Sequence, residues 1–218
     1  MRTLAFVTQK GGSGKSTLAS SLAVAAYTAG EKVFVLDMDS QGSLTKWSQT
    51  RGQNDIPVEA VSPAKLPVVL AALAKKGFTL AIIDTPGSDG PAASAAMKAA
   101  DLCIIPSRPS VFDLWAGVQT REALKTAGAD YVFLLNQCPP AQQSARVDEG
   151  VAALEAMGAL ISPLVLARVD YQEAARSGLG VAEINPTGPA AQEMRSLWSS
   201  IKRRLNRGKG RTPQAKAA

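Results

Sequence analysis

A glycine-rich segment between an apolar run and a helix-like stretch constrains the fold of this chain more than any other feature. Residues 10–16 read Lys-Gly-Gly-Ser-Gly-Lys-Ser, and the apolar run 3–8 ends just before them. Glycines permit the tight turn in which successive backbone N–H groups point at one anion. A strand, a glycine turn and a helix N-terminus in this order are typical of a phosphate-binding loop. The spacing predicts that Lys15 contacts the β- and γ-phosphates and that the Ser16 hydroxyl binds Mg²⁺.

The composition is typical of a globular protein of the cytoplasm. The chain has 218 residues, of which 46% are apolar and 19% charged, enough for one sizeable core. Its apolar runs are too short for a membrane span, its start does not resemble a signal peptide, and Cys103 and Cys138 make no disulfide framework. The sequence contains no histidine, which excludes Ser-His-Asp and Cys-His catalysis and histidine metal sites. We therefore expect a cytoplasmic protein whose general base is a carboxylate, a lysine or a water held by one.

The positive charge of the chain is concentrated at its C-terminus. The net charge is +6, yet residues 202–218 hold seven basic residues and no acidic one, which leaves 17 basic against 18 acidic residues in 1–201. Glycines and a proline interrupt the end of the chain, so we predict one domain over residues 1–206 and a basic, disordered tail over 207–218. Such a tail commonly contacts nucleic acid or anionic lipid, and a merely solvated tail is the alternative.

Apolar and helix-like segments alternate along the chain. The apolar runs are nearly continuous in Val, Ile and Leu, as in strands buried on both faces, and the segments between them are alanine-rich with apolar spacings of three and four. Strands are predicted at residues 3–8, 32–37, 79–84, 101–106, 131–136 and 161–167, with a short further strand at 58–61. Helices are predicted at residues 15–29, 63–76, 91–100, 112–127, 141–157 and 187–206. This alternation predicts an α/β fold, with a mostly parallel twisted sheet and helices on both faces.

Acidic side chains follow two of the predicted strands. Asp37 and Asp39 come at the end of one apolar run, and Asp84 ends the run 80–84. Ligands of open α/β sheets bind beyond the carboxyl ends of the strands, where the phosphate-binding loop also lies. An acid held there by a rigid strand is typical of a Walker B aspartate, so we predict that Asp84 binds the Mg²⁺ shell. The alternative for Asp37 and Asp39 is that they only cap the next helix.

Two departures from the general phosphate-loop pattern indicate a family. Gln9 occupies the position of the first glycine, and Lys10 adds a second lysine at the start of the loop. This variant resembles the deviant Walker motif of the ParA/MinD family of P-loop ATPases, and over most of its length the chain is most similar to the small ParA partition and positioning ATPases. The resemblance implies that Lys10 reaches across an ATP-sandwiched homodimer to the phosphates of the other subunit. The alternative for Lys10 is a phosphate contact within one subunit.

The resemblance also assigns roles downstream of the loop. The segment 37–41 reads Asp-Met-Asp-Ser-Gln and resembles the family's Asp-x-Asp-Pro-Gln motif, with Ser40 in place of proline. It implies that Asp39 orients or activates the attacking water and that Asp37 lies near Mg²⁺. Residues 106–110 and Asp113 resemble the family's Pro-x-x-Pro-Ser segment, which lies near the nucleotide and the dimer contact. Asn136 resembles the asparagine that reads adenine. Outside the resemblance, Asn136 is a polar residue at a strand end.

The predicted site residues fall into three groups. The catalytic residues are Lys10, Lys15 and Asp39. The residues that bind ATP or ADP are Lys10, Gly11, Gly12, Ser13, Gly14, Lys15, Ser16, Thr17, Pro106, Pro109 and Asn136. The residues that bind Mg²⁺ are Ser16, Asp37 and Asp84. In addition, Gly87 falls where a loop near the γ-phosphate needs a close backbone approach, so it is predicted to sense ATP against ADP.

The resemblance implies a ParA-type ATPase that is weak alone and is stimulated by a ParB-like or cargo adaptor protein. Such a protein binds ATP and Mg²⁺ as a homodimer, contacts DNA without sequence preference and segregates or positions a plasmid, chromosome or protein cargo. It is cytoplasmic and associated with the nucleoid. The ATP state then biases an equilibrium between a monomer and a DNA-bound dimer.

Two other functions occur on the same fold. A MinD-like ATPase that binds membrane requires a C-terminal amphipathic helix, and residues 197–205 could form one, although five apolar residues on one face more often pack on the parent sheet. An iron–sulfur reductase requires paired cysteines from each subunit, and Cys103 and Cys138 do not resemble that arrangement. The DNA-binding ATPase is therefore the main hypothesis, with the membrane-associated ATPase as its alternative.

Overall fold

Six parallel strands form one sheet in the described part of the chain. The computed structural model describes residues 1–140 and 144–207. The strands are β1 (Arg2–Phe6), β2 (Val33–Asp37), β3 (Val58–Ala60), β4 (Leu80–Asp84), β5 (Leu102–Ser107) and β6 (Tyr131–Leu135). They pair in the order β3-β2-β4-β1-β5-β6, and every pairing is parallel. This arrangement confirms the predicted α/β fold with a parallel sheet.

A helix follows each of the six strands, and three further helices come after α6 in the described chain. They are α1 (Lys15–Thr28), α2 (Ser43–Arg51), α3 (Leu66–Lys75), α4 (Pro91–Ala99), α5 (Val111–Ala127), α6 (Ala145–Met157), α7 (Val169–Arg176), α8 (Val181–Ile184) and α9 (Pro189–Arg207). The sequence pattern did not predict α2, α7 or α8. The buried side chains of α2 are Leu44, Trp47 and Arg51. One of them is charged, so the apolar period of α2 is too weak to stand out from the sequence.

The strands send their side chains alternately into two apolar cores. On β4, Leu80 and Ile82 belong to one core and Ile83 to the other, and each is at most 1% exposed. The first core packs against α1 and α9, and the second packs against α3, α4, α5 and α6. Helices therefore cover both faces of the sheet, which is the physical reason why the strands read as continuous apolar runs.

The apolar stripe of α9 is buried in the first core. Its members are at most 5% exposed: Met194, Leu197, Trp198, Ile201 and Leu205. This burial confirms the prediction that the stripe packs on the parent fold, so the described helix has no apolar face left for a lipid surface. Among the described helices, none combines the length and the apolar character that a crossing of the bilayer requires.

The predicted strand at 161–167 is wrong. This segment runs beside β6 but forms only isolated bridges, which join Leu160 to Phe133 and Leu166 to Cys138. Its backbone bonds to β6 are interrupted at Ser162 and Pro163, and proline has no N–H to donate to a ladder. The apolar residues around this break still pack against the sheet, which is why their sequence reads as a strand.

Two boundary predictions extend beyond the described residues. The predicted helix 141–157 begins at Ala145 in the described chain, and residues 141–143 lie outside it. Helix α9 reaches Arg207, the first residue of the predicted tail, and residues 208–218 lie outside the described part. The disorder of the tail and the assignment of residues 1–206 to one domain both stay predictions.

A buried arginine joins α2 to the segment that contains α8. The side chain of Arg51 is 1% exposed, and its guanidinium donates paired hydrogen bonds of 2.6–2.9 Å to the carboxylates of Asp55 and Glu183. It also donates to the carbonyl of Gly178 and lies over the ring of Trp47. The bonds to Asp55 and Glu183 raise the pKa of Arg51, and the bond from Arg51 lowers the pKa of Asp55. These contacts fix α2, which borders the site described below.

We expect Arg51→Ala to destabilise the fold, because it leaves two carboxylates without their buried partner. The free energy of unfolding should fall by about 2–4 kcal/mol, as measured by urea denaturation. The matched control is Lys75→Ala on the exposed end of α3, which should change the stability by less than about 0.5 kcal/mol. Equal stability of the two variants would contradict a structural role for the arginine cluster.

Candidate nucleotide-binding site

The glycine-rich loop connects β1 to α1 and is shaped by left-handed glycines. Gly12 has a φ of +75° and Gly14 a φ of +91°, backbone conformations that residues other than glycine rarely adopt. Gly14 is the N-cap of α1, and no described side chain caps this helix end. The first N–H groups of α1 are therefore available to an anion, and the helix dipole favours negative charge at the same place.

Lys15 lies across the loop and faces two carboxylates. Its side chain is largely buried, and its Nζ donates a hydrogen bond of 3.2 Å to the carbonyl of Lys10. Burial lowers the pKa of Lys15, while the charges of Asp84 and Asp39 act in the opposite direction. The ammonium group is thus held inside the loop, where the spacing predicts contact with phosphates.

Asp84 and Ser16 meet at the end of β4. The Ser16 hydroxyl donates a hydrogen bond of 2.6 Å to Oδ2 of Asp84, which is fully buried. Burial raises the pKa of Asp84 to about 7, although the bond from Ser16 opposes this shift. Its Oδ1 is buried and has no hydrogen-bond partner among the described residues. A buried carboxylate oxygen without a partner is costly, so a hydroxyl and a carboxylate in contact fit a hard cation such as Mg²⁺.

The two acids after β2 have different surroundings. Asp37 is buried, and its Oδ2 accepts hydrogen bonds from the backbone N–H and the hydroxyl of Thr45, while its Oδ1 accepts from the N–H of Asp39. Asp37 thus caps the first turn of α2, as in the capping alternative. Asp39 is half-buried, and within the described residues it accepts one hydrogen bond, from the N–H of Gln41. Asp39 lines the cavity described next, and Asp37 is not among its lining residues.

A cavity of about 850 Å³ lies over the carboxyl ends of the central strands. Its walls come from the phosphate loop, from residues 39–41, from α2, from residues 86–88 and from the end of α7. It brings together seven of the predicted site residues: Gly11, Gly12, Gly14, Lys15, Ser16, Thr17 and Asp39. Lys10 joins the group through its carbonyl, which accepts the bond from Lys15. The cavity has the size of a small-molecule site and places cationic, hydroxyl and carboxylate groups around one space.

A second cavity of about 320 Å³ shares Gly14, Thr17 and Gln137 with the first. Its other walls come from residues 166–172 and from Asn136, the predicted adenine reader. The side chain of Asn136 is buried, and its Nδ2 donates a hydrogen bond of 2.8 Å to the carbonyl of Ser13. Asn136 therefore stabilises the phosphate loop through this hydrogen bond. Its contact with adenine stays a prediction.

The two prolines of the predicted nucleotide contact lie apart from these cavities. Pro106 is inside β5 and pairs with Leu134 on β6. Pro109 is buried beside Gly150 of α6. Neither borders the two cavities around the described loop. A direct contact of Pro106 or Pro109 with the nucleotide stays a prediction that this geometry does not favour.

Gly87 lies in the loop after β4 and touches the phosphate loop. A Cβ atom at this position would lie 2.8 Å from Cα of Gly11 and 2.9 Å from its nitrogen. No real Cβ tolerates such a distance to backbone, so the approach requires glycine at position 87. The loop after β4 and the phosphate loop are therefore coupled by direct backbone contact.

The comparisons with known proteins agree with this geometry. The sequence profile of the CobQ/CobB/MinD/ParA nucleotide binding domain matches residues 4–181, which include the whole site. The chain belongs to this family. It is 30% identical over 217 residues to the maintenance of carboxysome distribution protein A of Gloeobacter kilaueensis, a match that covers 94% of each protein.

Solved structures of this family have the same fold. Apo McdA from Cyanothece matches with a TM-score of 0.78 at 18% identity, over 94% of this chain and 99% of that one. MinD from Pyrococcus horikoshii, solved as a complex with Mg-ADP, matches with a TM-score of 0.73 at 22% identity. The match covers 95% of this chain and 98% of the MinD chain. The predicted membership of the ParA/MinD family is confirmed.

Three residues of this ParA/MinD-family site were not predicted from the sequence: Gln137, Thr45 and Arg176. Gln137 has a φ of +53° and its Nε2 donates a hydrogen bond of 3.2 Å to the carbonyl of Gly12. Thr45 holds Asp37, and Arg176 borders the large cavity from α7. Only the position of Gln137 directly after Asn136 could have drawn attention to it. Thr45 and Arg176 enter through α2 and α7, the helices that the sequence pattern missed.

We expect Gly87→Ala to weaken nucleotide binding by this ParA/MinD-family protein, because the added Cβ displaces Gly11. The affinity for Mg-ADP should fall at least about tenfold in isothermal titration calorimetry, with the far-ultraviolet circular dichroism unchanged. The control is Gly117→Ala in α5, where the added Cβ would make an ordinary contact of 3.5 Å with Phe133. Wild-type affinity in Gly87→Ala would contradict the coupling of the two loops.

Proposed function

We propose that this chain is a ParA-like ATPase that forms an ATP-dependent homodimer and positions a cargo through an adaptor protein. The observation that carries the proposal is the convergence of the phosphate loop, Lys15, the Ser16–Asp84 pair and Asp39 on one cavity. Family membership supports nucleotide binding, and the Mg-ADP complex of the similar MinD supports Mg²⁺ as the metal. ATP hydrolysis, the dimer and the cargo are parts of the proposal.

The described residues divide the work of binding between them. The N–H groups of the loop and of the first turn of α1 bind phosphate oxygens, and the ammonium group of Lys15 balances their charge. Ser16 and Asp84 would hold Mg²⁺, which supplies positive charge at the phosphates when it is bound. Binding of the cation would also satisfy the unpartnered Oδ1 of Asp84 and keep this carboxyl group ionised.

Of the two acids after β2, Asp39 is the better candidate for orienting water. Both oxygens of Asp37 accept hydrogen bonds from backbone and hydroxyl groups, so Asp37 supports the loop. Asp39 borders the cavity, where a carboxylate within hydrogen-bond reach of a water can accept its proton. Lys10 would act on the other subunit, where a cation stabilises the charge that develops on the phosphoryl oxygens.

DNA is the proposed surface on which the dimer operates, and it would place the protein at the nucleoid. The buried apolar stripe of α9 speaks against the MinD-like membrane alternative, because an interfacial helix needs that stripe for lipid. Arg203 and Arg207 on the exposed side of α9 would add to the positive charge of the tail. Non-specific DNA binding requires only such basic groups.

The name of one relative bears on the cargo. The similar protein of Gloeobacter kilaueensis is named for the maintenance of carboxysome distribution, and the match extends over nearly the whole of both chains. We therefore favour a protein cargo over a plasmid or a chromosome. An adaptor protein bound to the cargo would stimulate hydrolysis and release the dimer from DNA.

The cysteines give no support to an iron–sulfur reductase. Cys103 lies within β5 and Cys138 lies just after β6, and both thiols are buried. Burial raises the pKa of Cys103 to about 12 and that of Cys138 to about 11. Buried thiols of this kind are inert and do not provide the thiolates that a cluster needs.

We expect Asp39→Ala to separate ATP binding from hydrolysis. The turnover number should fall at least about a hundredfold, because the carboxylate that orients water is absent. The affinity for ATP should stay within about threefold of wild type, and sedimentation velocity should show a dimer that persists. Asp148→Ala, an exposed acid on α6, is the control and should keep full turnover. Full turnover in Asp39→Ala would contradict the role of this residue.

We expect a chain shortened to residues 1–207 to bind DNA with a weaker salt dependence. The deletion removes three basic residues, Lys209, Arg211 and Lys216, and the slope of log K against log salt should fall by about 0.9 for each of them that binds a phosphate. The measurement is DNA retardation with ATP and Mg²⁺ over a range of salt concentrations. It compares the shortened chain with a full-length variant in which these three residues are changed to glutamine. An unchanged slope would exclude the tail as the DNA-binding segment, and ATP-dependent flotation with anionic vesicles but no DNA retardation would favour the membrane alternative.

A further inference from the structure

Helix α3 is apolar on all sides, and yet much of it is exposed. Residues 66–74 carry no polar side chain, and the buried residues of α3 are Leu66 and Leu73. Val68 is 73% exposed. A helix without a polar face normally lies inside a protein or against another apolar surface, because exposed apolar area is unfavourable in water. The described fold covers one side of α3 and leaves the other side open to a partner.

A cavity of about 640 Å³ lies between α3 and α4. We call it the α3–α4 groove. Its walls are apolar except for Ser94 and Lys98, which are exposed and lie one turn apart on α4. The apolar wall residues include Leu66, Pro67 and Leu70 from α3 and Ala95 from α4. An open apolar groove between two helices suits the apolar side chains of a partner segment.

The charges on these two helices are all of one sign. Lys65 and Lys76 cap the ends of α3, Lys75 lies in its last turn, and Lys98 lines the groove from α4. These four side chains are exposed and form no ion pair with another described residue. No acidic residue occurs at positions 62–76 or 90–100. The groove therefore combines an apolar floor with a basic rim, which complements a partner that is apolar and acidic.

The groove lies next to the loop that touches the phosphate loop. Pro91, which lines the groove, is the first residue of α4. Gly87 lies four residues earlier, in the backbone contact with Gly11 described above. Residues 86–88 also line the nucleotide cavity. One short loop thus joins the groove to the nucleotide site, so a segment bound in the groove would lie at the end of that loop.

We propose that the α3–α4 groove binds an acidic amphipathic segment of the adaptor protein, with its apolar side chains in the groove and its carboxylates beside Lys65 and Lys98. This inference rests on the proposed function, in which an adaptor stimulates hydrolysis. A second copy of this chain would place lysines against lysines. A flat lipid surface would leave the groove unfilled. A segment with apolar residues on one face and acids beside them matches both the shape and the charge.

The first test uses a synthetic probe of this chemistry. The probe is a fluorescein-labelled peptide of about 14 residues, with leucine at helical spacings of three and four and glutamate elsewhere. A second peptide has lysine in place of every glutamate. In fluorescence anisotropy at low salt, the full chain should bind the glutamate peptide at least about tenfold more tightly than the lysine peptide. Equal affinities, or no binding of the glutamate peptide up to about 1 mM, would overturn the inference.

The second test changes the charge at one position of the groove. Ser94→Glu adds an acid one turn before Lys98 and should weaken binding of the glutamate peptide at least about threefold, whereas Ser94→Lys should strengthen it about twofold. Both residues favour a helix more than serine does, so the circular dichroism should not change. Arg195→Glu is the control, because Arg195 is exposed on α9, which packs on the other core. Equal affinities of the two Ser94 variants would exclude the groove as the binding site.

The outcomes separate this inference from the proposed function, because the peptides are measured without nucleotide. A chain that hydrolyses ATP but does not prefer the glutamate peptide would overturn the inference and leave the ATPase proposal standing. A chain that binds this peptide in the groove but hydrolyses no ATP would overturn the proposed function and support the chemistry of the groove. Flotation with anionic vesicles, or self-association without nucleotide, that Ser94→Glu abolishes would assign the groove to lipid or to a second copy and overturn the inference.

Discussion

The hydrogen bond between Ser16 and the buried Asp84 is the contact on which the site depends. In the parallel register, Asp84 at the end of β4 lies beside Phe6 of β1 and Asp37 of β2. The sheet therefore brings the glycine-rich loop, Asp84 and the acidic loop after β2 to one place. Burial of Asp84 raises its pKa to about 7 and leaves one oxygen without a partner among the described residues, so the fold maintains a position that a cation would stabilise.

Helices α9 and α5 differ in whether their apolar side chains are buried or exposed. The apolar stripe of α9 is buried against the first core, so this described helix has no apolar face of the kind that an interfacial helix inserts into lipid. In contrast, α5 leaves four apolar side chains exposed: Val111, Phe112, Trp115 and Val118. The helix itself is held by hydrogen bonds of Thr120 and Asp113. A cluster of exposed apolar side chains that includes two aromatic rings is typical of an interaction surface.

The sequence predicted the elements whose signal is local. The phosphate loop depends on glycines at fixed spacing before a helix, and the strands are apolar because both faces of the sheet are covered. The sequence-based predictions were wrong or incomplete where contacts between distant segments, rather than local residue spacing, determine the structure. The segment 161–167 is apolar because it lies against β6, yet Pro163 interrupts its bonding. Helix α2 is held by the buried Arg51, whose partners Asp55 and Glu183 no periodicity reveals.

The sequence by itself determined the chemistry of the loop and the order of strands and helices, because both follow from short-range spacing of glycine, lysine and apolar residues. Only the tertiary structure decided the environment of each polar group. In the folded chain, Asp37 accepts hydrogen bonds from the first turn of α2, whereas Asp39 lines the cavity. The side-chain amide of Asn136 donates a hydrogen bond to the glycine-rich loop. These outcomes depend on contacts between residues far apart in the chain, which spacing along the sequence does not encode.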